Sequence, residues 1–216
     1  MARKPRSIKS SAKPDADPVA RLLAAAMSEA AAVGWQKISF EAIARRAGMT
    51  LGEVLTHIPT RSHLLARFAD HVDHTGLRAL ETVDHDQSVK DRLFDVIMRR
   101  LDVLQKHRSG VIAMMKGVMA EPGEAAMLLA RLSRSMAVTL AAAGLSPHGL
   151  RGLAQLMGLK AVYLSTLRAW RDDESADMAK TMAALNRALG YAEQAANFSN
   201  RFGMRNNKAA KSGAKA

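Results

Sequence analysis

Residues 40–61 read FEAIARRAGMTLGEVLTHIPTR. Ser39 can cap a short helix from Phe40 to Ala47, and Gly48 permits the left-handed turn that stops it. Thr50 and Glu53 then form a Thr-x-x-Glu capping box, in which each side chain satisfies an end amide near the other. Pro59 ends this second short helix. Ala44 and Ala47 are small where two helices must cross closely, and Met49 and Val54 supply apolar plugs beneath the turn. Two short helices joined by a tight glycine turn, with a longer helix before them, are a helix-turn-helix arrangement. In that geometry the exposed face of the second short helix enters the major groove, and a helix N-terminus such as Thr50 to Glu53 can aim free amides at a phosphate.

Working outward, Asp17-Pro18 is an N-cap followed by proline at the first helical position. It opens a helix with Leu22, Leu23, Ala26, Met27, Ala30 and Val33 on one face, closed by Gly34. Thr60 caps a long helix expected from Arg61 to about Leu80. After the polar break Asp84-His85-Asp86-Gln87, Ser88 and Asp91 start another, in which Leu93, Ile97, Leu101 and Leu104 mark a buried face. Later breaks delimit helices near 111–119, 123–143, 148–171 and 176–197. Ala, Leu and Met dominate throughout, no period-2 strand or hairpin signal is present, and no repeat period suggests a solenoid. The expected fold is all-α, about nine helices: a three-helix helix-turn-helix domain over 17–66 and a larger helical ligand-binding and dimerisation domain over 67–198.

Composition narrows the function classes. The chain has 216 residues, no cysteine and a formal charge of +12. Five cations with no acid lie in residues 1–13 and five more in 201–216, leaving +2 for residues 14–200. Both ends, 1–16 and 199–216, are therefore expected to be disordered basic tails that meet polyanions by counterion release. The absence of cysteine removes disulfides, thiolate zinc sites and a cysteine nucleophile. The start has no apolar core segment of the kind a secretory signal carries, no run approaches the length of a membrane helix, and Lys160 and Arg168 interrupt the most apolar stretch. No nucleophile elbow, P-loop or dinucleotide fingerprint occurs, so an enzyme is not expected, and no cofactor is.

Residues 19–68 resemble the N-terminal domain of the tetracycline-repressor (TetR) family of transcriptional regulators. The likeness lies in Phe40 to Ala44, Gly48 to Arg61 and Leu64-Leu65, with Ile58-Pro59-Thr60-Arg61 in place of the family's aromatic-Pro-Ser-Lys. It implies a cytoplasmic homodimer, joined through residues 148–198, on double-stranded DNA. The expected DNA contacts are Arg45, Arg46, Thr50, Gly52, Thr56, His57 and Arg61. The family's phosphate-holding Lys, Tyr and His or Arg are replaced by Leu51, Leu55 and Thr56. That departure points to a second, shorter resemblance, to the ubiquinone-biosynthesis lipid-binding proteins of the same fold, carried by Gly34-Trp35, Val89 to Leu93 and Thr166 to Ser175. It implies an isoprenoid-lipid carrier without specific DNA recognition.

Nine of the thirteen methionines lie between Met98 and Met182. Methionine adapts to varied apolar shapes, which suits both a core and a promiscuous pocket. An unknown apolar effector is expected near Met115, Met119, Met136, Met157 and Tyr163. His71 and His74 beside Asp70 and Asp73 read as a polar helix face rather than a metal pair, and no metal site is expected. Asp172-Asp173-Glu174 reads as a helix start, and Trp35 and Trp170 as core anchors.

Overall fold

The computed structural model describes residues 17–78 and 87–213, with side chains as far as residue 196. Among the described residues it holds nine α-helices and one 3-10 turn, and no strand. Helices α1 (Pro18–Val33), α2 (Phe40–Ala47) and α3 (Leu51–His57) make the head, with the 3-10 turn Trp35–Lys37 between α1 and α2. The helix α4 (Arg61–Leu77) leads into the body, made of α5 (Val89–Lys106), α6 (Arg108–Met119), α7 (Pro122–Ala142), α8 (Gly149–Asp172) and α9 (Ala179–Gly213).

The helix starts follow from their caps. Asp17, Ser39, Thr50, Thr60 and Ser88 each accept a hydrogen bond from a backbone amide two or three residues on. Each satisfies one of the amides that a helix start leaves without an internal partner. Gly34 and Gly48 sit at φ +85° and +64°, where a side chain is strained, and end α1 and α2 there.

Burial binds the head to the body. Leu22, Leu23, Ala26, Met27 and Ala30 of α1 join Ile43, Ala44, Val54 and Ile58 of the helix-turn-helix in one core that continues into α5 to α9. Helix α6 lies against α1 at very short range. A Cβ built on Gly110 would stand 2.1 Å from the Met27 carbonyl oxygen, and one on Gly117 2.6 Å from Trp35 Cβ. Only glycine allows that approach, so α6 is seated on the head by two residues two turns apart.

Helix α4 crosses residues 66 and 67 without a break, as the helix expected from Arg61 does, so head and body share one continuous helix. One boundary differs from the sequence reading. Helix α9 starts at Ala179 and runs to Gly213, where the sequence reading ends a helix at 197 and takes 199–216 as a disordered tail. Residues 190–213 contain no proline and no β-branched residue. Once packing on α8 has nucleated α9, propagation adds a hydrogen bond per residue at little cost. The tail at 1–16 and the break at 84–87, save Gln87, lie outside the described residues.

Helices α8 and α9 make the most extensive helix pair of the molecule. Asp173 organises the turn between them. It accepts from Ser175 N and Oγ at 3.0 and 2.5 Å and from Thr181 N and Oγ1, both at 2.8 Å. The Ser175 hydroxyl is the largest influence on this carboxyl; burial opposes it and Thr181 adds to it, and together they hold it well below the usual carboxylate range. Of the acidic run, Asp173 thus serves the start of α9, whereas Asp172 ends α8 and pairs with Arg171. By length and composition α7 is apolar enough to cross a membrane. It also carries Arg131, paired with Asp70 of α4 at 2.5 Å, and packs on α4, α6 and α8.

Candidate nucleic-acid interface

The outer surface of the head is the exposed face of α3. Val54 is fully buried and fixes the rotation of the helix, so Leu51, Gly52, Glu53, Leu55, Thr56 and His57 all face outward. Glu53 N donates to Thr50 Oγ1 at 3.2 Å, and Thr50 N donates to Glu53 Oε2 at 2.7 Å. Hydrogen bonds from the Thr50 amide and hydroxyl hold the Glu53 carboxyl below its usual range, so it is ionised at neutral pH. Thr56 Oγ1 donates to Gly52 O at 2.9 Å, leaving the hydroxyl oxygen free to accept but not to donate. Beyond its chain neighbours and its own helix backbone, no described atom lies within 4 Å of a Cβ built on Gly52. The backbone there is bare and open to close approach.

The sequence-predicted DNA contacts divide into two groups. Arg45, Thr50, Gly52, Thr56 and His57 are brought together on the exposed side of α2 and α3. Arg46 and Arg61 are engaged elsewhere. Arg46 Nε donates to Glu29 Oε2 at 2.7 Å, tying α2 to α1. Arg61 Nε donates to Glu124 Oε1 at 2.9 Å, and its Nη2 lies 3.8 Å from Glu121 Oε1. Both have structural work inside the molecule, which spacing along the sequence did not reveal. Two further exposed cations lie on the head. Arg21, on the outer side of α1, acts on the Glu53 carboxyl through space, and Lys37 lies in the turn before α2. Arg21 was detectable as a cation beside the buried Leu22-Leu23 pair on a helix of known phase.

Leucines occupy the centre of the face. Leu51 and Leu55 are 37% and 40% exposed, one turn apart. They offer no hydrogen bond to a phosphate and can meet only apolar groups, such as the methyl of thymine in the major groove.

The predicted ligand residues are dispersed. Met136 and Tyr163 are buried in the body, Met115 is half-buried on α6, and Met119 and Met157 are 79% and 57% exposed. None of them lines either of the clefts at Lys90 and at Trp35. Methionine-rich composition does not distinguish core from surface, because Met packs acceptably in both. Two clefts among the described residues are open to solvent. One, of about 360 Å³, lies between α5 and α9 and is lined by Lys90, Asp91, Phe94, Met182, Ala183 and Asn186. The other, about 300 Å³, separates head from body beside Trp35, Lys37, Ala113 and Lys116. Trp35 and Trp170 are core anchors whose ring nitrogens donate to Glu124 Oε2 at 2.9 Å and Gln105 Oε1 at 2.8 Å.

No protein-family model matches the chain, and no curated protein sequence matches it significantly. Solved structures do. A TetR transcriptional regulator from Nitrosomonas europaea superposes with a TM-score of 0.71 at 23% identity, covering 83% of this chain and 99% of that one. A TetR-family transcriptional regulator from Streptomyces coelicolor gives 0.58 at 18% identity, over 83% of this chain and 81% of that one. The transcriptional regulator FadR from Bacillus subtilis, solved with stearoyl-CoA, gives 0.53 at 16% identity over 80% and 96%. The fold is that of the TetR-type regulators, as the sequence resemblance implied.

Proposed function

We propose that this chain is a TetR-like transcriptional regulator that binds double-stranded DNA as a homodimer and responds to an apolar small molecule held in its body. The observation that carries this reading is the helix-turn-helix with an outward α3. Its buried Val54 and capping box fix the helix, and its bare Gly52 face leaves room for a groove. A DNA-bound dimer needs a self-complementary face, and α8 offers one: Leu150, Leu153, Met157 and Leu164 are exposed at helical spacing, with Tyr191 of α9 beside them. Two such heads would meet successive major grooves of a pseudo-palindromic site.

The test is fluorescence anisotropy with the DNA upstream of the chain's own gene and a scrambled control, over a salt series, for the full chain and for residues 14–200. A preference for the upstream DNA that survives tail removal is expected. Equal binding to both DNAs that vanishes without residues 1–13 and 201–216 would mean that the basic ends grip phosphate without reading sequence.

A second reading is favoured by the exposed Leu51 and Leu55. A carrier of apolar molecules that kept the fold would lose nothing by replacing phosphate-binding side chains with leucine. Extraction of the purified protein followed by mass spectrometry decides this. A lipid recovered in stoichiometric amount, with no sequence preference on DNA, would favour the carrier.

A further inference from the structure

The cleft between head and body carries charge of one sign. It holds about 300 Å³ of open space, with the end of α1 and the turn Trp35–Lys37 on one side and α6 on the other. Its lining includes two lysines and no acidic residue. Lys37 comes from the head and Lys116 from the body. Both are exposed, and neither has an ion-pair or hydrogen-bond partner among the described residues. In this they differ from Arg46 and Arg61, which carboxylates of the molecule already occupy. A cleft lined by one sign of charge between apolar walls focuses its field and concentrates counter-ions.

The walls here are apolar and leave room. Ala113, Gly117 and Ala120 stand at i, i+4 and i+7 on one face of α6, with Lys116 at its border. Val33 of α1 lines the head side and is 42% exposed. Trp35 lies buried beneath, and its ring N–H is already bound to Glu124, so it offers the cleft apolar atoms and no free donor. The width is built in as well. A Cβ on Gly117 would stand 2.6 Å from Trp35 Cβ, so α6 is seated on the turn and Lys116 is held on the same cleft as Lys37.

We infer that this cleft binds a small organic monoanion with a compact apolar body. Its anionic group lies between the Lys37 and Lys116 ammonium groups, and its apolar part lies against Val33, Ala113 and Ala120. An inorganic anion would use the lysines and leave the walls in water; the apolar body removes that surface from water. One lysine belongs to the head and the other to the body, so the bound anion bridges them and favours the head-to-body setting that brings them together. This goes beyond a regulator with an effector inside its body: the site lies at the junction, and its occupation does not depend on DNA recognition.

The experiment is calorimetric titration of the full-length protein, without DNA, at neutral pH and physiological salt. The probes are naphthalene-2-carboxylate, its neutral amide, acetate and inorganic phosphate. The naphthalene carboxylate should bind about tenfold more tightly than its amide, because each exposed ammonium contributes up to about fivefold. It should also bind about tenfold more tightly than acetate or phosphate, which lack the apolar body. Lys37→Gln and Lys116→Gln should each weaken the carboxylate about threefold and leave the amide unchanged. Ala120→Leu should fill the cleft and weaken carboxylate and amide alike. All three positions are exposed, so the variants should keep the thermal midpoint of the parent chain. No binding of the carboxylate at millimolar concentration, equal affinity for carboxylate and amide, or phosphate bound as tightly as the carboxylate would overturn the inference. So would carboxylate binding that all three variants leave unchanged, which would place the ligand elsewhere in the molecule. The readout contains no DNA, so a failure of sequence recognition in the anisotropy assay leaves this result standing, and the reverse holds.

Discussion

Arg61 and Glu124 meet at 2.9 Å, joining the first turn of α4 to the first turn of α7. The same carboxylate accepts from Trp35 Nε1 at 2.9 Å through its other oxygen. Glu124 thus satisfies a buried indole of the head and a guanidinium at the head–body junction at once. Proline at the start of α7 and the tight seat of Gly117 against Trp35 fix the two sides of the contact. Any motion of the head relative to the body must strain or break this bond pair.

Glu124→Ala leaves the Trp35 N–H buried without an acceptor. Its loss should cost about 1–3 kcal/mol, read as a lower urea midpoint with unchanged slope. Glu124→Gln keeps its carbonyl oxygen for Trp35 and loses the charge and the hydrogen bond facing Arg61, which is partly exposed, so its effect should be smaller. Equal losses for the two variants would show that the Trp35 bond is not what the carboxylate provides.

Arg45 and Arg46 are neighbours in sequence and both exposed, and Arg46 is paired with Glu29. Arg45 is exposed and, in the proposed complex, faces phosphate. Arg45→Ala should weaken binding to all DNA sequences alike and reduce the salt slope by about 1 per bound subunit, with stability unchanged. Arg46→Ala removes the partner of Glu29, which is itself buried. Its main effect should be a loss of about 1–2 kcal/mol in unfolding free energy. Anisotropy and denaturation on both variants separate the two; a shared phenotype would contradict the division.

The head was legible in the sequence because capping chemistry is local. Asp17-Pro18, Ser39, Thr50 with Glu53, and Thr60 each announce a helix start within a few residues, and the structure places each one there. The end of α9 was not legible, because Lys-, Ala- and Asn-rich sequence with Gly203 looks like a tail while holding no proline to stop a helix. The candidate interface was half legible. Exposure follows from helix phase, and phase placed Thr56 and His57 outward, but the ion pairs that occupy Arg46 and Arg61 link positions 17 and 63 residues apart. Arg100 of α5 is fully buried. With Ile97 and Leu104 marking the buried face of α5, position 100 falls on that same face, so a cation there had to be buried or bent out.

Asp173 gives the molecule an acid sensitivity of stated sign. Its folded carboxyl is held well below the usual range, chiefly by the Ser175 hydroxyl. A group with a depressed folded pKa contributes stability above its unfolded value, about 3.9, and that contribution is lost as pH falls through the folded value. Asp173→Asn should therefore lower stability at neutral pH and flatten its decline below about pH 4. Chemical denaturation across that range checks both. A variant whose acid profile matched the parent chain would show that other carboxylates set it.

The exposed stripe on α8 yields the last expectation. Leu150, Leu153, Met157 and Leu164 recur at i, i+3, i+7 and i+14, so they share one face of the helix. The opposite face buries Leu159, Val162, Thr166 and Trp170 against the body, which fixes the stripe outward. A contiguous apolar face of this kind marks an interaction site, and an isologous contact with a second copy would cover it on both chains. Met157→Lys places a charge in the middle of the stripe and, on the proposed two-fold contact, brings two like charges together. Native mass spectrometry should give twice the 23.3 kDa chain mass for the parent protein and the single chain mass for the variant. The thermal midpoint at dilutions that dissociate the parent should be the same for both, because Met157 is mainly exposed within one chain. A parent protein that is monomeric at micromolar concentration would remove the self-contact, and with it the paired heads on which recognition of a two-fold DNA site depends.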